Sequence, residues 1–116
     1  MDKVERYRTL ITRLLSALAT ALNEYHTAHD NAVLAHCVFD TARDHYILLQ
    51  IGWVGHRRIR GITLYVRLCH GKFWIEDDMT EEGIATDLLQ AGVPKEDIVL
   101  AFQPPEARQF TEFAPA

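Results

Sequence analysis

The sequence predicts an α+β fold in which a long N-terminal helix packs on a four-stranded antiparallel meander, followed by a second helix and a short C-terminal strand. Three observations predict it. Apolar residues between positions 4 and 25 recur at alternating spacings of three and four, residues 61–68 alternate apolar and polar with period two, and a capped apolar stripe follows Thr80. With 116 residues and 48% hydrophobic content, the chain is expected to form one domain over residues 1–116. It is long enough to bury roughly two thirds of its unfolded surface without disulfides or a structural metal.

The first helix is read from Asp2 to about Tyr25. Val4, Tyr7, Ile11, Leu14, Leu18, Ala21 and Tyr25 form its stripe, which Leu10, Leu15 and Leu22 widen. Asp2 and Glu5 favour its start through the helix dipole. His29, Asp30 and Asn31 break the pattern, and a strand follows from roughly Val33 to Phe39. Asp40 to Asp44 supply turn chemistry. A second strand, His45 to Val54, sets Ile47, Leu49, Ile51 and Trp53 on one side and Tyr46, Leu48 and Gln50 on the other.

Gly55, His56 and Arg57 make the next turn. The third strand is then read with Ile62, Leu64, Val66 and Leu68 on one face and Gly61, Thr63, Tyr65 and Arg67 on the other. His70 and Gly71 close a tight hairpin into a fourth strand, Lys72 to Glu76. Thr80 is the expected N-cap of a second helix with Ile84, Leu88 and Leu89 inside, and Gly92 and Pro94 stop it near Ala91. Ile98 to Phe102 reads as a short strand, and Phe110 and Phe113 are expected to anchor the tail.

Cys37 and Cys69 lie far apart with no metal-ligand spacing, so two unpaired thiols in a reducing compartment are expected. The N-terminus does not resemble a secretory signal, and no apolar run approaches the ~20 residues of a spanning helix. A cytoplasmic protein with no membrane contact is the expectation.

The net charge of −4 argues against a dedicated module held on DNA by phosphate contacts. Its distribution is uneven: residues 1–42 carry −1, residues 43–72 carry +5 and residues 73–116 carry −8.

Asp40, Arg43, Asp44 and His45 at the first turn, with His56, Arg57 and Arg58 at the second, form the candidate catalytic constellation. A histidine base oriented by an aspartate, with arginines holding an anion, would be a metal-assisted phosphodiesterase using Asp40, Asp44, His45 and Arg57. Turn bonding and surface ion pairing account for the same residues.

Glu76, Asp77, Asp78, Glu81 and Glu82 are rich in oxygen but lack EF-hand spacing, and acidic capping explains them. His26 and His29 near a helix end are explained by the dipole, so no metal or cofactor is expected. No phosphate-binding glycine loop, HExxH or GxSxG is present, and the sole serine, Ser16, sits inside the first helix. Trp53, Tyr65 and Trp74 interleave with Arg57, Arg58, Arg60 and Arg67, a mixture that suits nucleic acid or an acidic protein surface.

Six ordered blocks carry a resemblance to a known family. They are FDTARDHY (39–46), GWVGHRRIRG (52–61), GKFWI (71–75), TEEGIA (80–85), AGVPKEDIVLAF (91–102) and PPEARQFTEFA (104–114), preceded by DKVERYR at the N-terminus. In these the chain resembles the XisI, or fdxN element excision controlling factor, family. It departs from the pattern between His26 and Cys37, and at Asp78 and Met79, where a turn ending in glycine is more usual.

The resemblance implies an accessory or controlling factor, not itself catalytic, for programmed excision of a DNA element in cyanobacteria. It implies a partner, XisH, that resembles restriction-type endonucleases, and it brings no catalytic residues with it. On that reading Trp53, Arg57, Arg58, Arg60, Tyr65 and Arg67, together with Glu81 and Glu82, contact an XisH-like protein, DNA, or both. The regular stripe of the first helix and a sheet with a face to spare point further to a homodimer.

Overall fold

A computed structural model describes residues 2–116. Helix α1 runs Lys3–Ala28, with the Asp2 carboxylate accepting the Glu5 N–H as its N-cap. Tyr7, Ile11, Leu15 and Ala19, each four residues from the last, form its buried line, with Leu10, Leu14, Leu18 and Leu22 half-buried beside it. The stripe therefore sits slightly differently from the one read in the sequence. Ala21 and Tyr25 are exposed, and His26 takes the buried position near the end.

The strands are β1 (Ala32–Asp40), β2 (His45–Val54), β3 (Arg57–Cys69), β4 (Lys72–Asp78) and β5 (Ile98–Leu100), in sheet order β1-β2-β3-β4-β5. The first four form the expected antiparallel meander. The short C-terminal strand joins it as a fifth member, parallel to β4. A parallel return needs a crossover, and helix α2 (Ile84–Gln90) provides it. Two-residue turns close the hairpins at Gly55-His56 and at His70-Gly71. The second has positive φ at both residues, the type I′ geometry that matches strand twist.

One face of the sheet is sealed. Ala35, Tyr46, Leu48, Leu64, Val66, Leu68, Phe73 and Ile75 pack against α1 and against Ile84 and Leu88 of α2. Polar side chains bind the two layers together. The Tyr7 hydroxyl donates to Asp97 at 2.6 Å, and the Lys3 ammonium lies 2.8 Å from the same oxygen. The Asn23 amide meets both backbone groups of Ala35 on the outer edge of β1 (3.1 and 2.8 Å), occupying that stretch of edge as a neighbouring strand would. His26 Nε2 lies 2.7 Å from Gln50 Oε1, and the Gln50 amide donates to Thr63.

Two predicted details are overturned. Thr80 does not cap α2; its hydroxyl accepts from Gly83 N–H while the Asp78 carboxylate accepts from Thr80 and from the first helical amide, Ile84 N–H (2.7 Å). The strand end and the helix start are thus tied by one aspartate. In the tail, Phe113 packs against the core as expected, but Phe110 is exposed. At the other end of α2 the expected stop holds. Gly92 has φ +93, and Val93 N–H donates to Leu88 C=O while Gly92 N–H donates to Leu89 C=O.

A further correction concerns β3. Leu48 pairs with Leu64 but Leu49 pairs with Ile62, so Thr63 is one residue too many for the ladder. That bulge reverses the alternation of everything before it. Ile62 leaves the side of Leu64, Val66 and Leu68 and stands 42% exposed on the opposite face. A second bulge at Glu76 brings Tyr65 opposite Asp77.

No helix among the described residues is long and apolar enough to cross a membrane. Cys37 and Cys69 are free and half-buried, and burial pushes the Cys37 thiol above its usual range.

Candidate functional site

The residues proposed for catalysis are committed to the fold. Asp40 closes the first turn by accepting from the backbone N–H groups of Ala42 and Arg43 and from the Arg43 guanidinium. The same bonds, led by the backbone N–H of Arg43, hold its carboxyl below the usual range. Asp44, at φ 59, accepts two bonds from Arg8 of α1 (2.8 and 3.1 Å) and one from the buried Tyr46 hydroxyl (2.7 Å). Arg8 is the main reason its carboxyl titrates low.

His45 Nδ1 lies 2.7 Å from the Tyr65 hydroxyl. Arg57, His56 and Arg58 sit at the far end of β2, about 30 Å away at the rise of a ten-residue strand. The constellation Asp40, Asp44, His45 and Arg57 therefore does not converge, because a meander puts consecutive turns at opposite ends of its strands.

The basic and aromatic set is divided by the sheet. Trp53, Arg58, Arg60, Tyr65 and Arg67 share the face away from α1, as their pairing with alternate β2 residues dictates. Arg57, paired with Val54, turns to the other side. There it lines a cleft of about 480 Å³ with Tyr25, His29 and Asn31. Arg58 lies 5.3 Å from the Trp53 ring. Arg67 binds Glu76 at 2.9 Å and lies 5.7 Å from the Trp74 ring, whose other neighbour is Arg108 of the tail helix α3 (Pro105–Arg108) at 5.5 Å.

Glu81 and Glu82 are exposed on the loop between β4 and α2, beside Leu18 and Leu22 of α1. That loop is a separate region from the arginine face. His29 stacks on Tyr25 at 4.1 Å between centroids, while His26 is held by Gln50 and Asn31. Among the described residues no three of His, Cys, Asp and Glu gather into a group that would hold a metal ion.

Residues not singled out from the sequence complete the open face. β1 contributes Leu34 and Val38, 49% and 50% exposed, which pair with Ile51 and Ile47 of β2. His36 pairs with Leu49, and Ile62 completes that row from β3. The alternation in β1, Val33-Ala35-Cys37 against Leu34-His36-Val38, carried a signal for this face. The bulge that moves Ile62 there carried none.

These features define a small one-sheet α+β domain with one face sealed by helices and the other presenting aliphatic rows flanked by arginines. The chain belongs to the XisI family, whose model, described as XisI protein, matches residues 1–115. It is similar to the crystal structure of the fdxN element excision controlling factor XisI from Anabaena variabilis. That match has 36% identity and a TM-score of 0.76, covering 99% of this chain and 100% of the other. A XisI-like protein from Anabaena variabilis matches at 32% identity and TM-score 0.69, covering 91% and 99% of the two chains. No curated protein matches.

Proposed function

We propose that this chain is a controlling factor in programmed DNA element excision that performs no chemistry itself and acts with an XisH-like partner of endonuclease fold. Family membership and the excision-factor neighbour support the biological role. The observation that carries the division of labour is the contrast between carboxylates and arginines. Asp40 and Asp44, the acids best placed to serve as bases, are consumed by bonds that build the first turn. Arg58 stands exposed beside Trp53 at the end of the β2–β3 hairpin, and Arg57 is exposed on the hairpin's other side.

Exposed arginine beside tryptophan is the composition of a protein contact. A chain of net charge −4 gains little from phosphates alone. The nuclease-fold protein is therefore the direct partner, and DNA is reached through it.

Co-expression with an XisH-like protein, followed by size exclusion at micromolar concentration, tests this reading. Co-elution is expected, and the variant Arg57→Glu/Arg58→Glu is expected to lose it while keeping its circular dichroism. Separate elution of two folded proteins would overturn the proposal. So would cleavage of DNA by the pure chain with Mg²⁺ or Mn²⁺ that disappears in Asp44→Asn.

A further inference from the structure

The open face has a composition that neither a controlling role nor a hairpin contact requires. Leu34, Val38, Ile51, Trp53 and Ile62 are each 42–50% exposed, and all lie on the same side of three adjacent strands. Ile47 and Leu49 fill the rows between them, and His36 is the one polar side chain in the middle row. Contiguous apolar surface of this kind marks an interaction site. We infer that a second copy of this chain covers it, the two sheets packing face to face in an antiparallel, two-fold arrangement.

Charge decides the occupant and the orientation. The face is polarised along its strands, with Arg58 and Arg60 at the hairpin end and, near the other, Asp77 opposite Tyr65 and an Arg67 already neutralised by Glu76. Among the described residues Arg58 and Arg60 have no carboxylate within ion-pair distance and Asp77 no cation. A two-fold axis lying in the interface and crossing the strands at the Leu49 row reverses strand direction, so each end meets its opposite.

Counting rows from Leu49, Leu34 then lies over Val38 of the second copy and Ile51 over Ile47. Arg60 comes against Tyr65 and Asp77. The alternative axis, along β2, would set Arg60 over Leu34 and leave Asp77 without a counter-charge. Self-complementarity of this kind is what an isologous contact demands, and a sheet spacing of about 10 Å with strands within about 30° is how such faces pack. Trp53 and Arg58 fall at the rim, over His45 and the Arg67–Glu76 ion pair of the second copy. Arg57, on the other side of the hairpin, remains outside at both ends of the dimer.

Light scattering on size-exclusion peaks of the purified chain alone tests the inference without the nuclease-fold partner. The expected species at about 50 µM has twice the 13.3 kDa chain mass. Ile51→Asp is expected to weaken dimerisation at least about tenfold, with unchanged circular dichroism, since it sets a carboxylate against Ile47 of the second copy and competes with Asp77 for Arg60, its own cross-strand neighbour.

Arg60→Glu and Asp77→Arg, each alone, should weaken it about tenfold, and the two together should recover most of the loss. A 13.3 kDa species at that concentration, or a dimer indifferent to Ile51→Asp, would overturn the shared face. Loss in both single variants without recovery in the double would overturn the antiparallel arrangement.

Discussion

Tyr46 and Ile47 are adjacent in β2, yet they live under different constraints. Tyr46 is sealed beneath α1 with its hydroxyl on Asp44, whereas Ile47 belongs to the rows that face away from the helices. On the sealed side, polar groups tie layers together: Tyr7 and Lys3 to Asp97, Arg8 to Asp44, Asn23 to the edge of β1 and His26 to Gln50. On the open side the free polar groups stand at the ends of aliphatic rows. The comparison teaches that one sheet has been asked to do two jobs, and that its stability comes almost wholly from one face.

The sharpest test of that asymmetry is a pair of truncations. Leu48→Ala removes a fully buried side chain and is expected to cost about 3 kcal/mol in urea unfolding. Next in size is Gly52→Ala. Gly52 has φ +152, and an added Cβ would lie 1.9 Å from the carbonyl oxygen of Ala32. The start of β1 would have to shift, at a cost of about 2 kcal/mol.

Asp97→Asn follows, at about 1–2 kcal/mol, because it weakens the acceptor that serves both Tyr7 and Lys3. The smallest effect belongs to the open face. Leu34→Ala, measured where the chain is dilute enough to be alone, should change stability by no more than about 0.5 kcal/mol. A loss as large as that of Leu48→Ala would erase the distinction between the faces.

Acid sharpens the same contrast. Burial alone would raise the Asp97 carboxyl, but Lys3 and Tyr7 hold it below the usual range, and Arg8 with Tyr46 does the same for Asp44. Their contribution is complete above the unfolded value of about 4 and disappears as pH falls through their lower folded values. Urea midpoints of the wild type and of Asp44→Asn/Asp97→Asn should therefore differ most near neutrality and converge in strong acid. At the other extreme, burial and the bonds to Asp97 and Asp44 raise Tyr7 and Tyr46. The unfolded chain then sheds tyrosine protons first, and stability should fall as pH rises above about 10.

Much of the architecture was legible because it is written locally. The ends of β2, the two-residue turn at His70-Gly71 and the stop at Gly92 follow from neighbouring residues and were read correctly. What escaped depends on partners beyond the next few residues. Asp78 replaces Thr80 as the cap because its carboxylate reaches Ile84, and His26 turns inward because Gln50 waits on β2.

The candidate site divides in the same way. The alternation that groups Trp53 with the aliphatic residues of β2 was visible in sequence. That Arg57 would be parted from Arg58 and Arg60 by the sheet itself needed the pairing of β3. The placement of Ile62 needed more, since no property of Thr63 announces that it will be skipped.

That skipped residue makes the hairpin arm a matter of phase. Were β3 regular through Thr63, Arg58 and Arg60 would point toward the last turns of α1 and Ile62 would sit in line with Leu64. The outward chemistry of the arm thus depends on counting as much as on side-chain identity. When relatives are aligned, a one-residue insertion or deletion between positions 57 and 63 should weigh more heavily than several substitutions there, because it alone can exchange the two sides of the arm in a single step.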